Sequence, residues 1–225
     1  MIRAIVYDAV GTLIHVQPSV GAIYAAIGRQ FGSRLGADEI HARFGAAFAL
    51  QDRLDEQADW RTDEARERQR WRDIVAHVLD DVADPARFFD ALFAAFAHPD
   101  MWTCDSDAAE VLTHFQRRGI RQAMASNFDA RLRAVIAAMP ALSVLDPIVI
   151  SSEIGWRKPA PAFFAHVIQR LQLPPSEILY VGDDRGNDFE PAREAGMMAA
   201  LLDPRQRHLD VGDRIARLAE LLNWV

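Results

Sequence analysis

Five short apolar runs rich in branched residues punctuate this chain, and their spacing limits what it can fold into. They are Ile2–Tyr7, Arg121–Ser126, Pro147–Ser151, Ile178–Gly182 and Met198–Leu202. Short continuous apolar runs of this kind suit parallel strands buried on both faces. Between the last four lie helical patterns at Ala130–Met139, Ala160–Leu171 and Glu190–Ala195. Strand and helix in alternation predict an α/β fold with a doubly wound parallel sheet. Arg214 to Leu222 spaces its apolar residues as an amphipathic helix would and is expected to close the chain as one.

The interval between the first run and the second breaks the rhythm. From about residue 16 to 100 no strand pattern is visible. Helical periodicity runs through Phe44/Phe48, then Ile74 to Val82, then Phe88 to Phe96, interrupted at Pro18, Gly32–Gly36 and Pro85. A crossover of that length far exceeds what an α/β unit needs. It predicts an all-helical domain, residues 16–100, inserted into a core made of residues 1–15 and 101–225. Within the insertion, Glu64 to Arg70 reads as a charge-laced, solvated helix face.

The 225 residues, half of them hydrophobic, suffice for one core with a small satellite. A net charge of −7 offers no basic face for nucleic acid. No run is long enough to span a membrane, and no signal peptide is expected before the first strand. The single cysteine, Cys104, fits a reducing compartment and is expected to be inert. A soluble cytoplasmic protein is the expectation; oligomeric state is not legible.

In open α/β sheets, ligands bind beyond the carboxyl ends of the strands. The first strand ends in Asp8, within the turn Tyr7-Asp8-Ala9-Val10-Gly11-Thr12-Leu13; the second ends in Ser126-Asn127. The loop after the third holds Arg157-Lys158-Pro159, and the fourth ends in Gly182-Asp183-Asp184, followed by Asn187-Asp188. Carboxylates converging at Asp8 and Asp183 would repel one another without a cation. Hard oxygen ligands suit Mg²⁺, completed by a substrate phosphate. Asp8 could then attack phosphorus as a covalent nucleophile. Ser126 and backbone N–H groups near Asn127 would bind phosphoryl oxygens, and Lys158 would add a point charge. Lys158 is the only lysine in a chain otherwise using arginine, which suggests a position where a guanidinium fork will not serve.

These four stretches, in this order, resemble the motifs of the haloacid dehalogenase superfamily, in the branch with a small helical cap. The resemblance implies a Rossmann-like sheet of order 5-4-1-2-3, a nucleophilic Asp8, and Mg²⁺ held by Asp8, the carbonyl of Val10 and Asp183, supported by Asp188. Ser126-Asn127-Phe128-Asp129 and Ser152 to Trp156 are further similar to a branch that includes the rhythmically expressed gene 2 product. A phosphatase acting on a small phosphorylated substrate is the implied activity. Most phosphatases of this superfamily carry a second aspartate, the acid/base, where this chain has Val10. Losing such assistance costs about 10²–10⁴ in rate. A substitute acid could come from Asp184, His15 or the cap.

Two alternatives follow from Val10. Haloacid dehalogenases also lack that acid and need no Mg²⁺, but they usually lack the carboxylate that this chain keeps at Asp183. A non-catalytic metal- and phosphate-binding module is the other. Phosphonate-cleaving relatives use a cap lysine, and this insertion has none. Among lesser residues, Asp184 reads as an exposed loop acid and Asp188 as a cap for the helix that follows. The Thr12 hydroxyl is expected to stabilise its turn, His15 to be structural, and Trp60, Trp71 and Trp102 to pack the cap or its hinge.

Overall fold

In the computed structural model, which describes residues 1–224, the first apolar run forms β1 (Ala4–Tyr7), whose four residues are all buried. It lies at the centre of a six-stranded sheet between two parallel neighbours, β4 (Arg121–Ser126) and β6 (Ile178–Gly182). Outside these stand β5 (Ile148–Ile150) on one side and β7 (Met198–Leu202) then β8 (Arg214–Ile215) on the other. The order β5-β4-β1-β6-β7 is the expected 5-4-1-2-3 read from the opposite edge.

Alternation along β1 explains why both faces are covered. Ile5 and Tyr7 point into a core with Leu112 and Phe115 of α5 (Ala108–Arg117) and Leu132 of α6 (Arg131–Ala137). Ala4 and Val6 point the other way, toward Phe163, Phe164 and Val167 of α8 (Pro161–Leu171). A short α7 (Ser151–Ile154) follows β5, and α9 (Glu190–Glu194) precedes β7.

The expected closing helix is absent. Arg214 and Ile215 instead add the sixth strand, parallel to Leu201 and Leu202. Leu218–Asn223 then forms a 3₁₀ segment that buries Leu218 and Leu221. Ile215 is more useful as a sheet-edge residue than on a helix, and a two-residue strand carries no period to be read.

The inserted segment leaves through β2 (Ile14–Val16) and returns through β3 (Trp102–Cys104), an antiparallel ribbon pairing Ile14 with Cys104 and Val16 with Trp102. Between them stand α1 (Val20–Gln30), α2 (Ala37–Gln57), α3 (Glu64–Val78) and α4 (Pro85–Ala95). Ser19, Asp63 and Asp84 cap α1, α3 and α4 through their side chains, and Pro85 occupies the first turn of α4. Ile23, Tyr24, Ile40, Phe44, Ile74 and Phe88 close a separate apolar core between these helices. No helix among the described residues is long and apolar enough to cross a membrane.

Of the stretch read as a solvated charged face, Glu64, Ala65 and Gln69 are exposed and Arg66 and Arg68 half-buried, but two of its charges are buried. Glu67 is 1% exposed and Arg70 2%. Arg157 of the core donates to Glu67, as does Thr62 Oγ1 at 2.7 Å. Arg70 donates to Asp55 at 2.7 Å and to Asp52 at 2.6 Å. Glu64 accepts from Ser152 Oγ at 2.5 Å and from the Ala130 N–H at 3.0 Å. Backbone bonds run from Thr62 N–H to the Gly155 carbonyl and from Arg157 N–H to the Trp60 carbonyl. Arg61 lies 3.7 Å over the Trp156 ring. The helical insertion is therefore fastened to the core at a second place, far in sequence from its ribbon. Glu67, Arg70, Ile74 and Val78 share one face of α3, so the charges sit on the inward stripe.

Candidate active site

The carboxyl ends of β1, β4 and β6 converge on Lys158. Asp8 follows β1 directly, and its N–H still bonds the Val181 carbonyl, so sheet register fixes the side chain. Lys158 Nζ donates to Asp8 Oδ1 at 2.6 Å, to Asp188 Oδ1 at 2.5 Å and to the Ala125 carbonyl at 3.4 Å. Three acceptors use the three donors of an ammonium, which a planar guanidinium could not match. Burial opposes the charge on Lys158, but Asp188 and Asp8 beside it hold its pKa well above the ordinary lysine value. The lone lysine is thus a permanent cation inside the site.

Asn127 places residue 158. Its Oδ1 accepts the Lys158 N–H at 2.7 Å and its Nδ2 donates to the Lys158 carbonyl at 2.9 Å. The amide oxygen and one of the two Nδ2 hydrogens are therefore engaged in holding residue 158. Ser126, 2% exposed, lines the same cavity beside it.

Oxygens of Asp8, Asp183 and Asp188 all lie within 4.8 Å of one another. Burial, followed by the negative charges of Asp8 and Asp188, pushes the Asp183 carboxyl up to about 7. One ammonium among three carboxylates leaves the cluster short of positive charge, and its donors are all hard oxygens. A divalent cation such as Mg²⁺ fits that set. The approach is close: a Cβ at Gly11, where φ is +95°, would fall 2.4 Å from Asp183 Oδ2. A Cβ at Gly182 would fall 2.3 Å from Asp188 Cγ. Both glycines of the motifs are required by carboxylates resting against the backbone. Gly11→Ala should therefore displace Asp183 and lose any rise in melting temperature that Mg²⁺ gives the native protein, measured by paired thermal melts.

Several expected roles are exchanged. Asp188 does not cap the following helix; it faces Lys158 and accepts the Asp184 N–H at 3.2 Å. Asp184 is the exposed acid expected, and it also does the capping, accepting from the Gly186 and Asn187 N–H groups at 2.8 and 2.9 Å. The Thr12 hydroxyl does not brace its turn: Oγ1 is buried without a hydrogen-bond partner among the described residues. Backbone bonds to the Ala9 carbonyl close the turn instead. His15 bonds Asp105 at 3.0 Å, a structural contact on the ribbon. Trp71 and Trp102 line the cavity, whereas Trp60 sits in the turn before α3 with φ +56°.

The haloacid dehalogenase-like hydrolase model matches residues 2–196 of this chain. The chain belongs to that family. Among haloacid dehalogenase-like proteins, zebrafish haloacid dehalogenase-like hydrolase domain-containing protein 3 is 28% identical, over 93% of this chain and 90% of that protein. The Drosophila melanogaster rhythmically expressed gene 2 protein is 25% identical over 89% and 82% respectively, in keeping with the branch resemblance of the motifs. The fold also matches L-2-haloacid dehalogenase from Xanthobacter autotrophicus with a TM-score of 0.75 at 20% identity, covering 99% of this chain and 98% of that one. The chain is a hydrolase of this family with the family's α/β fold.

Proposed function

We propose that this chain is a cytoplasmic, Mg²⁺-dependent phosphatase that acts on a small phosphorylated metabolite through an aspartyl-phosphate on Asp8. The observation that carries this reading is Asp183, held beside Asp8 and Asp188 in an all-oxygen cluster. Chemistry at carbon would gain nothing from a third carboxylate there. The residues that would hold Mg²⁺ are Asp8, the Val10 carbonyl and Asp183, with Asp188 supporting; when bound, the ion neutralises charge between carboxylate and phosphate. Lys158 engages Asp8 Oδ1, leaving Oδ2 to attack phosphorus. Ser126 and the Asn127 N–H bind phosphoryl oxygens, and Lys158, whose donors are engaged by Asp8, Asp188 and the Ala125 carbonyl, contributes its positive charge beside them. The helical insertion acts as a cap that excludes water.

Val10 supplies no proton, and neither named substitute is free to do so. Asp184 is occupied by its own loop and His15 by Asp105. This favours one rival specifically, dehalogenation of a 2-haloacid, which needs no proton donor at that point. Phosphate release from a phosphoester panel with Mg²⁺, run beside halide release from 2-chloropropionate without it, separates the two. The phosphatase reading expects the first activity alone, reduced at least about 10²-fold in Asp183→Asn. Metal-independent halide release that survives Asp183→Asn would replace it.

A further inference from the structure

The cavity above Asp8 is large and walled by aromatic rings. It encloses about 590 Å³ and runs from Asp8 and Lys158 between the helices of the insertion. Ring contacts follow its wall without a break, from Trp71 through Phe48, Phe44, Tyr24, Phe96 and Trp102 to Phe128. Successive centroids are 4.9 to 6.0 Å apart. Phe128 stands two residues beyond Ser126, so the wall reaches the phosphate end of the site. Rings serving only as core would be packed to the density of an interior, without a void of this size. The lining is mixed: the carboxylates and Lys158 stand at one end, Asp52, Glu67, Arg70 and Arg157 line it at the insertion junction, and the unbroken run of rings gives an aromatic body a face to pack against.

A second observation, independent of the wall, concerns the leaving group. Val10 lines the cavity beside Asp8 at the position where the superfamily resemblance implies an acid for the departing oxygen, and Asp184 and His15 are engaged elsewhere. An alkoxide leaving without a proton is costly, since alcohols are acids about as weak as water and far weaker than phenols. A phenol, near ~10, departs as its anion far more readily. The wall asks for an aromatic body and the missing acid asks for an acidic leaving group.

Resting on the phosphatase reading above, we infer that the substrates are aryl phosphate monoesters, with the aromatic ring seated against the Trp71-to-Phe128 wall. Asp8 Oδ2 forms a bond to phosphorus as the bond from phosphorus to the aryl oxygen breaks; the oxygen keeps the electron pair and leaves as phenolate. Water then adds to the phosphorus of the aspartyl-phosphate, the bond to Asp8 breaks, and the carboxylate is restored. Of that water's two protons, one stays with the released phosphate and one reaches the phenolate in solvent.

The experiment compares kcat/KM with Mg²⁺ for phenyl, 2-naphthyl, benzyl and acetyl phosphates, in the native protein and in Val10→Asp. Benzyl phosphate keeps the ring but leaves as an alkoxide, and acetyl phosphate has a good leaving group but no ring. Phenyl phosphate should exceed benzyl phosphate by about 10²–10⁴ in the native protein, a gap that Val10→Asp narrows. The larger 2-naphthyl ester should exceed phenyl phosphate by roughly tenfold, an advantage that shrinks in Phe48→Ala and partly returns in Phe48→Leu. Equal rates for phenyl and benzyl phosphates in the native protein would mean a proton donor on the wall, His41 being the candidate, and would overturn the proposal. So would no gain from the naphthyl ring. Asp8-dependent hydrolysis of acetyl phosphate alone would sink the aryl substrate and spare the phosphatase; silence toward all four would sink both.

Discussion

Asp8→Asn should abolish phosphate release, by at least about 10⁴-fold in kcat, while the protein folds as before. In the proposed reaction the carboxylate supplies the attacking oxygen, and an amide of the same shape cannot form the acyl phosphate. Its geometry would survive: the N–H bond to the Val181 carbonyl belongs to the backbone, and an amide oxygen can still accept from Lys158. Lys158 keeps Asp188 at 2.5 Å, so the buried ammonium is not stranded. Removing one charge from a crowded carboxylate cluster also relieves Asp183, whose pKa the charge of Asp8 helps to raise. Stability without metal should therefore change by no more than about 1 kcal/mol, the sum of a lost ion pair and a relieved repulsion. Steady-state phosphate release and urea melts on the two proteins check both halves. Residual activity within tenfold of native would remove Asp8 from its role as nucleophile.

Much of this site is legible in the sequence because topology leaves few choices. Parallel strands must end on one edge, so Asp8, Ser126 and Asp183 are adjacent once the strands are recognised. Lys158 is legible for a different reason: a lone lysine among arginines stands out, and its three-way coordination shows what a compact ammonium is for. The surroundings are harder to read. Asp184 and Asp188 exchange roles because cap and buried partner differ by one helical turn of placement, which spacing alone does not fix. Glu67 and Arg70 look like surface charges, since buried charges are rare unless paired, and their partners lie far off in sequence. The available signal was their register with Ile74 and Val78 on the inner stripe. The aromatic residues of α2 to α4 announce a core correctly, but periodicity cannot report that the core encloses a cavity.

That hidden charge pair makes the strongest stability prediction. Glu67→Ala should cost about 3–5 kcal/mol, the usual penalty for leaving a buried charge without its partner. Arg157, 6% exposed, would keep its charge inside the junction between insertion and core. Its Nε has no hydrogen-bond partner, and the ion-pair partner that remains, Asp55 at 3.5 Å, is already shared with Arg66 and Arg70. The Thr62 hydroxyl would lose its 2.7 Å acceptor as well. Against a typical total of 5–15 kcal/mol the loss is severe, and a urea midpoint measures it directly. Replacing both partners, as Glu67→Leu with Arg157→Met, should restore most of the stability, because two charges leave the interior together. The double variant separates strength from position. Arg157 immediately precedes Lys158, and its N–H is tied to the Trp60 carbonyl, so the junction carries the insertion to the buried lysine beside Asp8. If the pair serves only stability, the double variant will hydrolyse phosphoesters at the native rate. If it also seats the insertion over the cavity, KM will rise several-fold with the fold intact, and protease cleavage near residues 58–62 will quicken. A Glu67→Ala cost under about 1 kcal/mol would mean that water reaches Arg157 and the junction is looser than its burial implies.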